Sequence, residues 1–298
     1  MQWVYRNSEL ASGDWQLVVD RSIPGWQHTG LRVGPASESH PLTLDAVPIE
    51  RLILILDGDS ATVEFTEPGA GDSKTQVLKG RKSVFHGTAD CLYLPSGSAA
   101  TITGSARVAV AEAPTEIAKQ SRFIAAADVP VFVRGAGRES RQVHNLGSAE
   151  DLDAARFIVV EVVVPAGNWS GIPPHKHDVF IEGVESNLEE IYYFESAVAR
   201  GLEAPAEADP QGFIKAYASD ERPIDLNTEV RTGDVALIPH GWHGPVMAHP
   251  GYDLYFLNVM AGPDPDRSWN ITEDPAHAWI RKSWHHQDAD PRLPYPAN

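Results

Sequence analysis

Two histidines separated by one residue, His175 and His177, sit in Pro173-Pro-His-Lys-His-Asp178, and Glu190 follows in Leu188-Glu-Glu-Ile-Tyr-Tyr-Phe194. On an extended strand, residues two apart project from the same face, so the two imidazoles stand side by side and Lys176 turns to the other face. By the same alternation Glu190 shares a face with Tyr192 and Phe194, and Glu189 points away. A further imidazole is offered by His243, in Ile238-Pro-His-Gly-Trp-His243, just after the strand-like run Asp234 to Ile238. Three neutral nitrogens and one carboxylate oxygen suit a single divalent first-row metal, Zn, Mn, Fe or Ni, and leave coordination positions open for chemistry. An H-x-H pair alone would equally fit a polar strand edge. Glu190 and His243, each on its own strand-like segment opened by turn residues, shift the balance toward a ligand set.

These side chains must be positioned by short strands. Gly171 and Pro173-Pro174 deny His175 a helical approach, Gly233-Asp234 starts a strand, and Gly241 permits the turn that presents His243. Upstream, Leu42 to Val47, Arg51 to Leu56, Thr62 to Phe65, Gln76 to Leu78, Cys91 to Leu94, Ala99 to Ile102 and Arg107 to Glu112 read as strands separated by Gly58, Gly80, Gly97 and Gly104. Downstream, Phe157 to Val164, Gly212 to Ala218, Thr228 to Arg231, Pro245 to Ala248 and Tyr252 to Met260 resume the pattern. Many short strands with Gly and Pro between them predict an all-β chain of antiparallel sandwiches or barrels. Between the halves, Thr115 to Gln120 is a candidate short helix and Val129 to Val133 a strand. The expected division is 1–125 and 126–298. Near the end, Asp274 is a candidate N-cap and Pro275 a first helical residue, so a short helix over Ala276 to Trp284 is expected.

Composition narrows the partners. Lys and Arg number 24 against 41 Asp and Glu, a formal charge of -17, and no basic block exceeds Arg281-Lys282, so no nucleic-acid partner is expected. The single cysteine, Cys91, excludes a disulfide framework and reads as a buried strand residue. The opening residues carry neither the basic nor the apolar region of a secretory signal, and the apolar runs are too short to span a bilayer. A cytoplasmic protein acting on a small molecule, with no membrane partner, is the expectation, and a homo-oligomer is left open. Nine of the twelve histidines lie from His144 onward, so the first half is expected to be a metal-free partner of the second.

Several motifs in the second half carry a resemblance. Gly167-Asn-Trp-Ser170, Pro173-Pro-His-Lys-His-Asp178, Leu188-Glu-Glu-Ile-Tyr-Tyr193, Gly251-Tyr-Asp-Leu-Tyr255, Leu257-Asn-Val-Met-Ala-Gly-Pro263 and Asp274-Pro with His277 and Trp279 resemble the 5-deoxy-glucuronate isomerases of myo-inositol catabolism. That family is related to the 4-deoxy-5-hexulose-uronate isomerases. The resemblance implies a bicupin, two tandem antiparallel β-barrel or jelly-roll domains with a short C-terminal helix, and places the metal ligands on His175, His177, Glu190 and His243. The turn here reads Gly241-Trp-His-Gly-Pro245, where the family usually has Gly-Tyr-His-Pro.

The implied reaction converts the aldose acid 5-deoxy-D-glucuronate into the ketose 5-dehydro-2-deoxy-D-gluconate, through an enediolate that a divalent metal stabilises. Tyr192, Asp178 and Tyr252 are the candidate proton carriers. Lys176 or Arg231 could be named for the substrate carboxylate, but alternation sends Lys176 off the metal face. The alternatives are an Fe-dependent bicupin dioxygenase, which would consume oxygen, and a non-catalytic sugar-binding bicupin.

Overall fold

A computed structural model describes residues 2–220 and 222–295. Two antiparallel assemblies account for nearly all of the regular structure. In the first, Leu17–Val19, Gly30–Ser37, Ala99–Pro114, Ile49–Thr66, Cys91–Leu94 and Arg122–Ile124 run in that spatial order. Leu42–Leu44 is added on Ala99–Pro114, and Lys74–Lys79 on Ile49–Thr66. The second assembly pairs two sheets. One is ordered Val4–Tyr5, Val235–Ile238, Glu189–Val198, Tyr252–Ala261, Ile158–Val164, Arg141–Asn145, Val131–Arg134. The other is ordered Arg222–Val230, Gly212–Ser219, Trp242–Ala248, His175–Lys176, Thr272–Glu273, with Trp169–Ser170 also on Trp242–Ala248. A hairpin, Asp178–Ile181 with Glu185–Asn187, stands apart from both sheets.

Alternation along the strands assigns each face. Ile53, Ile55, Val63 and Phe65 fill the interior of the first assembly, while Leu52, Leu54 and Leu56 turn the opposite way. Ile158, Val160, Val162 and Phe194 fill the interior of the second, and Val159, Val163, Ile191 and Tyr193 face outward. The two outward sets meet in one shared core, so these strands are buried on both faces. That explains why Leu52 to Leu56 and Phe157 to Val164 read as continuous apolar runs instead of alternating ones. Glu161 interrupts the second run and points into the shared core, where Arg81 meets it in a buried ion pair. Glu50 makes a second tie across the assemblies. Its carboxylate accepts the backbone N–H groups of Ala155, Arg156 and Phe157 at 2.6, 2.6 and 2.9 Å.

Several expected boundaries are corrected. Arg51 to Leu56 and Thr62 to Phe65 belong to one 18-residue strand, and Ala99 to Ile102 and Arg107 to Glu112 to one 16-residue strand. Gly58 and Gly104 do not end these strands. They lie at a bulge in the pairing of these two strands, at φ +110° and +133°, and a Cβ on either would lie 2.4 Å from a carbonyl oxygen of the facing strand. Thr115 to Gln120 is not helical. The Thr115 carbonyl, an acceptor such a helix would use, takes the Ser96 hydroxyl instead, and the Thr115 N–H donates to the Pro48 carbonyl at 2.9 Å, which ties the start of the segment to the neighbouring chain.

The C-terminal helix is shorter than expected. Asp274 does cap a turn, accepting the Ala276 N–H at 2.9 Å, but the α-helix covers only Ile280–Ser283 and continues as a 3-10 turn over Trp284–His286. A segment this short has little helical stability of its own, and its side-chain contacts decide its shape. The chain passes from the first assembly to the second between Arg122–Ile124 and Val131–Arg134. Val4–Tyr5 departs from that order by pairing with Val235 and Ala236 in the second assembly.

Candidate metal centre

His175, on a two-residue strand, lies in register with His243 on the neighbouring strand, which places both imidazoles on the same face of that sheet. Glu190 comes from the opposing sheet, in register with Ile238 and Met260, and projects into the same interior. His177 follows His175 on that face, and the ligand-capable nitrogens of His175, His177 and His243 all fall within 4.8 Å of one another. The Glu190 carboxylate stands 3.1 Å from His177 Nε2 and 3.2 Å from His243 Nε2 through the same oxygen, Oε2. All four residues named from the sequence therefore converge. His175 is half-buried and the other three are buried, so the group opens to solvent on the His175 side.

The outer nitrogens decide how the imidazoles are used. His175 Nδ1 lies 3.3 Å from the Pro173 carbonyl, His177 Nδ1 2.9 Å from the Leu188 carbonyl, and His243 Nδ1 3.0 Å from the Gly241 carbonyl. A carbonyl only accepts, so each Nδ1 is set to carry a proton; on His243 this turns an Nε2 lone pair inward, while His177 Nε2 reaches Glu190 Oε2 at 3.1 Å. His243 Nε2 is buried and has no hydrogen-bond partner among the described residues. Inward lone pairs facing a carboxylate oxygen at about hydrogen-bond distance repel one another unless a cation or a proton lies between them. The donor set and the unpartnered nitrogen therefore fit a divalent cation held by three imidazoles and one carboxylate.

The electrostatics of His175 and Glu190 agree with this. Burial, followed by the neighbouring His243 and His177, holds His175 well below the ordinary imidazole value, so it is neutral at pH 7. Burial alone would raise Glu190, but the His177 and His243 imidazoles outweigh it and hold the carboxyl far below its usual range. For His177, burial pulls downward, and the hydrogen bond and charge of Glu190 more than reverse it.

The three candidate proton carriers separate clearly. Tyr192 is buried next to the group, its ring centroid 6.4 Å from that of His243. Burial and then the Glu190 charge push its phenol well above the ordinary tyrosine value. Asp178 is turned away from the group. Its carboxylate accepts the Gly241 N–H at 2.8 Å and the Ser219 hydroxyl, so it braces the turn that aims His243. Tyr252 is not at the site. It lies in register with Val198, whereas Glu190 is in register with Met260, eight residues along the same strand and roughly 26 Å away.

The opposite-face assignments hold. Glu189 accepts backbone N–H groups of Gln27, His28 and Thr29, with 2.6 Å to His28 and 2.7 Å to Thr29, and so anchors the first assembly. Lys176 is bound by both Glu185 oxygens at 2.8 and 3.0 Å, and Arg231 by Asp209 on an exposed surface, so neither faces the group. Sequence reasoning missed the brace formed by Ser219 and the three carbonyls on the outer nitrogens. No residue type signals a carbonyl, and Ser219 is brought in from a distant strand. Cys91 is fully buried, and burial pushes its thiol far up, so it is no nucleophile. Among the described residues no helix is long and apolar enough to cross a membrane.

Comparison with known proteins identifies the family. The KduI/IolB family model matches residues 3–280. A 5-deoxy-glucuronate isomerase of Geobacillus kaustophilus is 34% identical over 93% of this chain and 94% of its own length. One of Bacillus subtilis strain 168 is 40% identical over 70% of this chain and 73% of its own. The crystal structure of an IolB-like protein from Salmonella typhimurium LT2 superposes with a TM-score of 0.80 at 31% identity, covering 94% of this chain and 99% of that one. An oxalate decarboxylase of Lactobacillus farciminis, at 10% identity and a TM-score of 0.63 over 92% of this chain and 88% of that one, shares the fold. With the bicupin architecture and most of the chain matched, the protein belongs to the KduI/IolB family.

Proposed function

We propose that this protein isomerises 5-deoxy-D-glucuronate to 5-dehydro-2-deoxy-D-gluconate in myo-inositol catabolism, with one divalent ion held by His175, His177, Glu190 and His243. The observation that carries the reading is the gathering of His175, His177 and His243, each with its Nδ1 against a backbone carbonyl, with one Glu190 oxygen 3.1 and 3.2 Å from Nε2 of His177 and His243. When bound, a divalent ion of the Zn, Mn, Fe or Ni class supplies Lewis acidity, which lowers the cost of charge building on the carbonyl and neighbouring hydroxyl oxygens of an enediolate.

The chain's own residues do the rest. His175 stays neutral because burial and the neighbouring His243 and His177 disfavour an imidazolium, which keeps its inner nitrogen available as a donor atom. Asp178 holds the Gly241 turn in place and thereby fixes the direction of His243. Tyr192 keeps its proton at neutral pH and faces the interior beside Glu190, so its hydroxyl is positioned to give a proton to the carbonyl oxygen and take one from the neighbouring hydroxyl, while the carbon-bound proton leaves one carbon to a base in exchange with solvent and is returned to the other. The apolar residues around it, Phe194, Phe256 and Met260, exclude water from the transfer between the oxygens.

The test is to incubate the purified protein with 5-deoxy-glucuronate in deuterated water and to measure metal content on the same sample. Ketose formation with solvent deuterium at carbon and about one divalent ion per chain supports the reading. Full turnover after the metal has been stripped would refute it.

A further inference from the structure

The turn between Val131–Arg134 and Arg141–Asn145 meets the C-terminal helix, and it gathers positive charge with little to balance it. Arg134 and Arg141 are directly opposite in the register of these two strands, so two guanidinium groups share one face. Like charges in that position disfavour the pairing. A third, Arg281, joins them, and both Arg141 and Arg281 lie against the Trp284 ring, with 5.7 and 4.9 Å from guanidinium carbon to ring centroid.

The cluster is short of acceptors. Arg281 is paired with Glu273, but among the described residues no carboxylate lies within salt-bridge distance of Arg134 or Arg141. Arg141 has five N–H donors and uses them on one backbone carbonyl, that of Glu139, at 3.1 Å. Trp284 Nε1, a donor only, is buried and has no partner either. Gly135, at φ +76°, lets the backbone pass close beside the guanidinium, since a Cβ there would lie 2.8 Å from Arg141 Nη1. Burial, and then the charges of Arg281 and Arg134, pull Arg141 down to about 10, and Glu139 offsets only part of this. A chain with a formal charge of -17 has acidic residues to spare, yet among the described residues none pairs with Arg134 or Arg141.

We propose that Arg141, Arg134 and the Trp284 indole N–H form a binding site for a small oxyanion, a phosphate or the carboxylate of a sugar acid, built from residues outside the four candidate metal ligands. A guanidinium fork recognises a planar or tetrahedral oxyanion through paired N–H groups, and the indole N–H adds a third donor. Arg281 and Glu273 connect the site to the metal edge, because Glu273 lies in register with His175.

The test is calorimetric titration of the metal-loaded protein with inorganic phosphate and, separately, with D-glucuronate, at ionic strength held constant with chloride. The expected result is saturable binding of at least one anion, weakened roughly tenfold or more in Arg141→Gln and less in Arg141→Lys, which keeps the charge but loses the fork. Only the heat that Arg141→Gln removes is assigned to this site, so D-glucuronate bound at the metal centre does not count. Phosphate alone or D-glucuronate alone identifies which oxyanion the site takes. Metal content and a cooperative melt are checked in each variant, and if Arg141→Gln fails to fold, Arg141→Lys and Trp284→Phe decide. Titrations indistinguishable between the wild type and the folded variants, or no saturation with either anion, overturn the proposal. Neither outcome bears on the isomerase reading, which stands or falls on metal and turnover.

Discussion

His243 Nε2 stands 3.2 Å from Glu190 Oε2, and no hydrogen bond satisfies that nitrogen among the described residues. The two residues come from opposing sheets, so the contact exists only if the barrel closes with both aimed at one point. If a cation lies there, His243→Ala and Glu190→Gln each reduce bound metal from about one ion per chain to a small fraction. Turnover should fall by roughly a hundredfold or more while the melt stays cooperative. Metal analysis with circular dichroism on the same samples checks this. Variants that keep full metal would remove these residues from the shell.

The bracing by Asp178 predicts a milder loss. Asp178→Asn keeps the shape but weakens the bonds from Gly241 N–H and Ser219, so His243 is aimed less accurately. Metal affinity is expected to drop about 10- to 100-fold, as for other partners that orient a ligand from outside the shell. Competition with a chelator measures it, and restoration of turnover at high metal concentration separates bracing from proton transfer.

Tyr192 and Tyr252 give opposite expectations. Tyr192→Phe should retain metal and lower kcat by roughly 10²- to 10⁴-fold, because the proton-carrying hydroxyl is gone. Tyr252→Phe, at the other end of the strand, should leave kcat within about twofold. Steady-state kinetics on metal-loaded samples decide it, and equal effects from the two would contradict the placement.

The buried pair of Arg81 and Glu161 sets an acid limit. Burial would raise the Glu161 carboxyl, but the Arg81 charge outweighs it, followed by the His144 hydrogen bond at 3.0 Å, and brings it to about 2. A carboxyl depressed on folding stabilises the protein fully above its unfolded value of about 4.3. That stability is lost as the pH falls from there through about 2. The contribution is on the order of 3 kcal/mol. Urea unfolding at pH 7 and pH 3 should show the gap between the wild type and Glu161→Gln narrowing at the lower pH. A gap independent of pH would mean that the pair does not titrate this way.

The sequence alone determined the candidate ligand types and their order along the chain. His175, His177, Glu190 and His243 were legible because strand alternation fixes which residues share a face, and the turn glycines and prolines fix where strands begin. Alternation also assigned Glu189 and Lys176 correctly to the opposite face. Local patterns failed where a distant partner outweighed them. Gly58 and Gly104 read as strand ends but lie at a bulge, because each strand pairs beyond its glycine. Thr115 to Gln120 gave up its helix to Pro48 and Ser96. Which carbonyl holds each Nδ1, which way Asp178 turns, and how far Tyr252 lies from Glu190 were decided only by the tertiary structure. They depend on strand register and on the closing of two sheets over one core, which are collective properties of residues far apart in the chain and leave no mark in any single stretch of it.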